Sequence, residues 1–300
     1  MILAAIDIGS NAARLLITEV AVDHKGETTY NKINLIRVPL RLGFDVFEQG
    51  IISKHKIGMI LQTMKAYKHL CNAYDVAYIK ACATSAMRDA RNATDIIRKV
   101  KLETSIEIEV ITGDLEAGLI YENHVAENMD KDHSYLYIDV GGGSTELSFF
   151  SNGILIYKKS FNIGTIRLLK NMVTDKDWED MKDVLRNVIK GQKEVVAIGS
   201  GGNINKVFSM SKKKDGKPLS LELLRDYYKE LSSVILSERI VKYSLRSDRA
   251  DVIVPAIQIY INVMRWAGAE QIYVPKIGLA DGLIRNLWEE VKVSKAIPTR

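Results

Sequence analysis

The sequence predicts an α/β protein of two related domains with a cleft between them, and three observations carry that expectation. A unit of strand, Asp-x-Gly turn and strand occurs twice, at Ala5-Ile6-Asp7-Ile8-Gly9 running on to Arg14-Leu15-Leu16-Ile17, and at Tyr137 to Phe150 (YIDVGGGSTELSFF). Asp7, Gly9, Leu15 and Ile17 fall in the same order as Asp139, Gly141, Leu147 and Phe149. Each copy opens a half with the same succession of strands and helices, and 300 residues are enough for two cores.

In the first half, Thr28 to Leu42 is a β-favouring run whose proline suggests an edge or an irregular end. Gly43 to Gly50 reads as a loop. Ser53 is placed to cap a helix whose apolar positions, Ile57, Ile60, Leu61, Met64, Tyr67 and Cys71, recur every three or four residues. Val76 to Ala83 reads as a buried strand ending at Thr84, which can cap a short helix over Ser85 to Ala90. A helix over Ala93 to Glu103, a strand over Ile106 to Thr112 and a helix over Asp114 to Asn128 follow. The order is β-β-β-α-β-α-β-α, that of ribonuclease-H-like domains.

The second half repeats that order with insertions. Strands are expected over Tyr135 to Val140, Thr145 to Phe150 and Ile154 to Ser160, a helix over Asp175 to Ile189, and a strand over Glu194 to Ile198. That strand runs into Gly199-Ser200-Gly201-Gly202 and a helix from Asn203, a turn that either receives an anion or only reverses the chain. Helices over Leu221 to Ser237 and Ala250 to Trp266, a strand over Gln271 to Pro275 and a helix over Ala280 to Val291 complete it. The polar stretch around residues 125–133 suggests a boundary, giving domains at 1–128 and 129–279 with the C-terminal helix, 280–300, joined to the first.

Hydrophobic residues make up 47% of the chain and charged ones 26%, the balance of an ordinary globular protein. No apolar run is long enough to span a bilayer and the N-terminus enters a strand directly, so the expected location is the cytoplasm, with no membrane partner. Cys71 and Cys82 have no metal spacing, in keeping with a reducing compartment. The net charge of +5 suits an anionic substrate, but its basic residues are interspersed with acidic ones, which argues against DNA. The basic run Ser211 to Pro218 reads as a surface loop, either merely solvated or in contact with a polyanion.

A lone Gly-Gly-Gly between strands is no more than a hairpin; its pairing with a second Asp-x-Gly hairpin points to phosphate chemistry. Without side chains from Gly141 to Gly143, backbone N–H groups can approach phosphate oxygens. Asp139 and Glu146 at the rims of the turn are hard oxygen donors suited to Mg²⁺. No P-loop, HExxH motif or nucleophile elbow is present, and the histidines show no ligand spacing.

Duplicated domains with such hairpins resemble the acetate kinase, sugar kinase, chaperone and actin (actin-like ATPase) superfamily. Within it, AIDIGSNAARLLI, ATSAMRDARN, ITGDLEAGLIY, YIDVGGGSTEL, SFNIGTIRL and AIGSGGN resemble, in order, the exopolyphosphatase and guanosine pentaphosphate phosphatase family. The resemblance implies Glu116 as general base and Arg88 as a catalytic arginine facing the phosphate. It implies Asp139 and Glu146 as holders of Mg²⁺, and Gly141, Gly142, Gly143 and Ser144 as phosphate donors. It also implies Asp7, Ser10 and Asn11, on the opposing loop, and Arg249, in a further family pattern, as phosphate-binding residues. Read without the family, Glu116 is a favourable carboxylate in a first helical turn, Arg88 a surface arginine and Arg249 a helix-start residue. Leu115 and Gly118 depart from the family's Glu-Glu-Ala-Arg and Ala12 from its serine, which bears on turnover more than on fold. The helical C-terminal region of long family members is not expected here, and the resemblance then implies either lower processivity or a preference for short chains and nucleotides.

The expected activity is Mg²⁺-dependent release of orthophosphate from the end of inorganic polyphosphate. The alternatives are removal of the 5′ γ-phosphate of guanosine pentaphosphate and, from another class, a non-catalytic polyphosphate or alarmone sensor. A homodimer is compatible with the sequence.

Overall fold

The computed structural model describes residues 1–121 and 132–296. By internal contacts the chain divides into two units, Met1–Thr112 with Leu279–Arg300, and Gly113–Gly278. The division precedes the polar 125–133 stretch, most of which lies outside the described residues, and so assigns the helix after Thr112 to the second unit.

Unit 1 is built on a five-stranded sheet of β1 (Ile2–Ile8), β2 (Ala13–Val22), β3 (Thr28–Val38), β4 (Tyr78–Ala83) and β5 (Ile108–Val110), in the order β3-β2-β1-β4-β5. The three N-terminal strands form an antiparallel meander, and β4 and β5 add in parallel. β3 lies at the edge and stops before Pro39, which has no N–H for a ladder. Gly43 to Gly50, expected as a loop, is helix α1 (Gly43–Gln49): Val46 and Phe47 are buried and Gly50, at φ 72°, ends the turn. Seven residues are too few to register as an apolar period.

α2 (Lys54–Ala73) starts at Ser53, whose hydroxyl accepts from the Lys56 N–H, and buries Ile60, Leu61, Met64, Tyr67 and Cys71. α3 (Ser85–Asp89) follows β4, but its preceding Thr84 makes no side-chain cap. α4 is Ala93–Thr104. The C-terminal helix of unit 1, named below, packs on β1, β2 and β4, with Lys80 paired to Glu290 and Lys32 to Asp281.

Unit 2 opens with α5 (Gly113–Tyr121); the rest of the helix expected to Asn128 lies outside the described residues. The strands are β6 (Ser134–Val140), β7 (Thr145–Ser151), β8 (Ile154–Phe161), β9 (Val195–Ser200), β10 (Leu219–Ser220) and β11 (Gln271–Tyr273), ordered β10-β11-β9-β6-β7-β8. Read from the other edge, β8-β7-β6-β9-β11 repeats β3-β2-β1-β4-β5, so the duplication extends from the hairpins to the whole sheet.

The helices of unit 2 after α5 are α6 (Thr165–Leu169), α7 (Asp175–Ile189), α8 (Gly202–Met210), α9 (Leu221–Ser232), α10 (Leu236–Lys242), α11 (Ser247–Ala250) and α12 (Ile253–Ala267). α13 (Leu279–Ala296) is the C-terminal helix of unit 1. The stretch expected as one helix from Leu221 to Ser237 breaks after Ser232. There the hydroxyls of Ser232 and Ser233 donate back to Tyr228 and Glu230 carbonyls, and Arg239 Nε donates to Leu231 and Val234 carbonyls.

Strand alternation sorts β6 into two faces. Leu136, Ile138 and Val140 enter the main core with Phe149, Val207, Ile257 and Tyr260, while Tyr137 packs with Phe150 and Ile198 on the opposite face. Asp139 shares the Tyr137 face by the same alternation. Among the described residues, no helix is long and apolar enough to cross a membrane.

Candidate active site

In unit 2 the antiparallel register sets Asp139 opposite Glu146, and the parallel register sets it beside Ser200. α5 packs on β7 and β8, bringing in Glu116, which is buried. Oxygens of Glu116, Asp139 and Glu146 all lie within 4.8 Å of one another. Their approach depends on a glycine at the start of α5: a Cβ on Gly113 would come 2.3 Å from Ser160 Cβ on β8. Ser160 in turn donates its hydroxyl to Glu146 Oε1 at 2.7 Å, holding that carboxylate in one orientation.

The Gly-Gly-Gly turn is fixed from behind. Gly141 N–H donates to Ser144 O (2.9 Å), which closes the hairpin. Thr165 and Ile166, at the start of α6, donate their N–H groups to the carbonyls of Gly141 (3.0 Å) and Gly142 (2.8 Å), and Arg167 Nε donates to Gly143 O (2.8 Å). A trans peptide points its N–H opposite its C=O. With three successive carbonyls turned toward α6, the N–H groups of Gly142, Gly143 and Ser144 are turned the other way, the arrangement of an anion-binding nest. Gly164 makes the packing possible, since a Cβ there would lie 2.4 Å from Gly143 C and 2.5 Å from Gly142 O.

The Gly199 to Gly202 turn closes on the same carboxylate. Gly201 has φ 103°, and a Cβ on it would stand 2.9 Å from Asp139 Oδ1. Tyr260, wholly buried, donates its hydroxyl to Ser200 O. Burial first, and the nearby Asp139 charge second, push that phenol well above its usual range, so it stays a donor. Arg249 Nη1 donates to Gly202 O at 2.6 Å and so braces this turn.

The equivalent hairpin of unit 1 is neutralised internally. Asp7 pairs in register with Arg14, and Arg14 Nη1 reaches Asp7 Oδ2 at 2.6 Å. Gly9 N–H donates to Ala12 O (3.0 Å), as Gly141 does to Ser144. Ser10 Oγ shares a 2.7 Å hydrogen bond with Ser85 Oγ, and Arg88 Nη1 donates to Ile111 O at 2.7 Å. Register therefore equates Arg14 with Glu146. Where unit 1 has an ion pair, unit 2 has two acids, joined by a third from α5. At an effective dielectric of about 20, like charges 4.8 Å apart repel by about 3 kcal/mol per pair. Three carboxylate oxygen donors in that volume fit a hard divalent cation.

Glu116, Asp139 and Glu146, expected from the sequence, are thus brought together, with Gly141 to Ser144 beside them on the same hairpin. Asp7, Ser10 and Arg88 lie in unit 1 with the bonds just given, and Asn11 lies in the same unit, its carbonyl accepting from the Arg41 N–H at 2.8 Å. Sequence reasoning missed Ser160, Gly113, Gly164, Arg167 and Tyr260. Ser160 and Gly164 to Arg167 lie within SFNIGTIRL, a stretch whose likeness to the family was visible but whose roles were not.

A doubled sheet of this order, each copy opening on an Asp-x-Gly hairpin, defines an α/β protein of the actin-like ATPase superfamily with two such domains. The chain belongs to the Ppx/GppA phosphatase family, whose model matches residues 21–290.

Among relatives, it is 33% identical over 201 residues to the bifunctional 3-dehydroquinate synthase/phosphatase of Fusobacterium nucleatum, which is 60% of this chain but only 30% of that protein's length. It is 24% identical to exopolyphosphatase 1 of Mycobacterium tuberculosis, over 95% of this chain and 87% of the relative. To the guanosine-5′-triphosphate,3′-diphosphate pyrophosphatase of Pseudoalteromonas translucida it is 25% identical, over 94% of this chain and 57% of the relative. The crystal structure of the Aquifex aeolicus family member superposes with a TM-score of 0.75 at 26% identity, covering 97% and 98% of the two chains. That of an exopolyphosphatase from Cytophaga hutchinsonii does so with 0.83 at 25% identity, with the same coverage.

Proposed function

We propose that the protein is an exopolyphosphatase: it hydrolyses the terminal phosphoanhydride of inorganic polyphosphate and releases orthophosphate. The observation that carries this reading is the three-carboxylate cluster of Glu116, Asp139 and Glu146 beside the Gly142 to Ser144 nest. Asp139 and Glu146 would hold Mg²⁺, which when bound supplies positive charge to phosphoryl oxygens. The nest donors hold the terminal phosphoryl group. Glu116 orients a water molecule and takes its proton as the water oxygen bonds to phosphorus and the bridging P–O bond breaks. The products are orthophosphate and a chain one unit shorter. Ser160 keeps Glu146 oriented throughout.

In unit 1, Ser10 and Asn11 are proposed as phosphate contacts, with Asp7 holding Arg14 in the same hairpin. Arg88 spends one donor on Ile111 O and has others in its guanidinium fork for phosphate. Arg249 is proposed as a phosphate contact that also supports the Gly201 turn. A cytoplasmic location is part of the proposal, supported by the two buried free thiols, Cys71 and Cys82.

A second reading uses the same site on the 5′ γ-phosphate of guanosine pentaphosphate, and the likeness to the Pseudoalteromonas translucida protein, over 94% of this chain and 57% of that protein, favours it. Orthophosphate release from long polyphosphate, short polyphosphate and guanosine pentaphosphate, compared by kcat/KM with Mg²⁺ present, decides between them. A higher value for polyphosphate is expected; a higher value for the nucleotide replaces the first reading by the second.

A further inference from the structure

Ser200 ends β9 with a hydroxyl that the chain leaves unused. The residue is 2% exposed, and its Oγ has no hydrogen-bond partner among the described residues. Buried hydroxyls are normally bonded, because a bond left unmade at such a group costs free energy. This one therefore calls for a partner from outside the chain. Register says which way it faces. β9 runs parallel to β6, with Ile198 beside Tyr137 and Ser200 beside Asp139. Ile198 packs with Tyr137, so strand alternation puts Ser200, two residues on, on the same face as Asp139. That is the face of the acid cluster, with Glu146 opposite Asp139 and Glu116 brought in by α5. The strand end is fixed there: Tyr260 donates its hydroxyl to the Ser200 carbonyl, and Gly201, at φ 103°, runs so near that a Cβ on it would stand 2.9 Å from Asp139 Oδ1.

The duplicated sheet supplies a comparison. In unit 1 the residue beside the hairpin aspartate, Asp7, is Cys82. There the aspartate is paired with Arg14, and its neighbour carries a thiol, a soft group poorly suited to hard cations. In unit 2 the aspartate faces two further carboxylates, and its neighbour carries a hydroxyl, a hard oxygen of the kind that Mg²⁺ and its waters accept.

We infer that Ser200 is a further residue of the cation site, its Oγ holding one of the water molecules that Mg²⁺ retains when Asp139 and Glu146 bind it. The inference rests on the proposed function in taking that cluster as a Mg²⁺ site.

The test compares the wild type with Ser200→Ala and Ser200→Thr by melting temperature in chelator and by calorimetric titration with Mg²⁺ alone. In chelator Ser200→Ala is expected to melt at or above the wild type, since it removes a buried hydroxyl that has no partner in the chain. Its dissociation constant for Mg²⁺ should rise about five- to tenfold, the loss of one hydrogen bond in the shell of an ion. Ser200→Thr, which keeps the hydroxyl, should bind Mg²⁺ more tightly than Ser200→Ala. Equal Mg²⁺ affinity in the wild type and Ser200→Ala would overturn the assignment and leave the cation site and the hydrolase reading standing. A Ser200→Ala protein that melts lower in chelator, with a threonine variant that binds Mg²⁺ no better, would make Ser200 a packing residue and overturn it too. If the wild type binds Mg²⁺ but releases no orthophosphate from polyphosphate, the hydrolase reading fails and the titrations alone decide Ser200. A wild type that takes up no Mg²⁺ overturns both the cation site and the assignment.

Discussion

Glu146→Gln is predicted to stabilise the protein without metal and to destabilise it, relative to the wild type, with Mg²⁺. The substitution keeps the shape of the side chain and the oxygen that accepts from Ser160, so what it removes is one charge. In the wild type that charge faces Asp139 and Glu116 within 4.8 Å. Each such pair repels by about 3 kcal/mol at an effective dielectric of 20. Relaxation and counterions reduce the recovered amount to about 1–3 kcal/mol. For a unit the size of Gly113–Gly278, that is a rise in melting temperature of about 2 to 12 °C.

Mg²⁺ should reverse the order. At about 100 times its dissociation constant a bound ion adds about 2.7 kcal/mol to the wild type, while the variant, lacking one ligand, gains little. Calorimetric melting of both proteins, first in chelator and then over a Mg²⁺ series, reads both halves. A variant that melts lower in chelator, or that responds to Mg²⁺ as the wild type does, would refute the cluster as a cation site.

Gly164→Ala should displace the Gly142–Gly143 peptide, because its Cβ has backbone atoms at 2.4 and 2.5 Å; expected is a loss of more than about 1 kcal/mol in stability together with weaker orthophosphate inhibition. Inhibition equal to the wild type would separate the nest from phosphate binding. In alkali, Tyr67 and Tyr260 are pushed up by burial first and by the charges of Asp7 and Asp139 second. An acid whose folded value lies above its unfolded value of about 10 contributes stability in full below that pH and loses it as the pH rises. Melting temperature should therefore fall steeply above pH 10, and the fall should be shallower in the Tyr67→Phe/Tyr260→Phe double variant. An equal slope would exclude these phenols as its cause.

The parts of the site that the sequence displays are those set by strand register. Asp139 and Glu146 sit on the two arms of one short hairpin, so their facing each other follows from the position of the turn. Glu116 is different: nothing local indicates that the first turn of α5 lies against that hairpin, and only the family motif singled it out. The contact is tertiary, and it rests on the absence of a side chain at Gly113 opposite Ser160. Arg14 shows the same limit from the other side. The aligned hairpins set Arg14 against Glu146, but that each faces its hairpin's aspartate, giving an ion pair in one unit and facing carboxylates in the other, emerges only from the paired registers. The short helices α1 and α6 are held by buried contacts and by bonds to the Gly-Gly-Gly turn, which leave no period in the sequence.

Everything proposed for the site turns on Glu116 as the base of a phosphoanhydride hydrolase. The most direct measurement is orthophosphate release from polyphosphate, with saturating Mg²⁺, by the wild type and by Glu116→Gln, with melting temperatures and tripolyphosphate binding recorded for both. Expected is a folded variant that binds its substrate and turns it over about 10² to 10⁴ times more slowly. A variant that releases orthophosphate at the wild-type rate would contradict it.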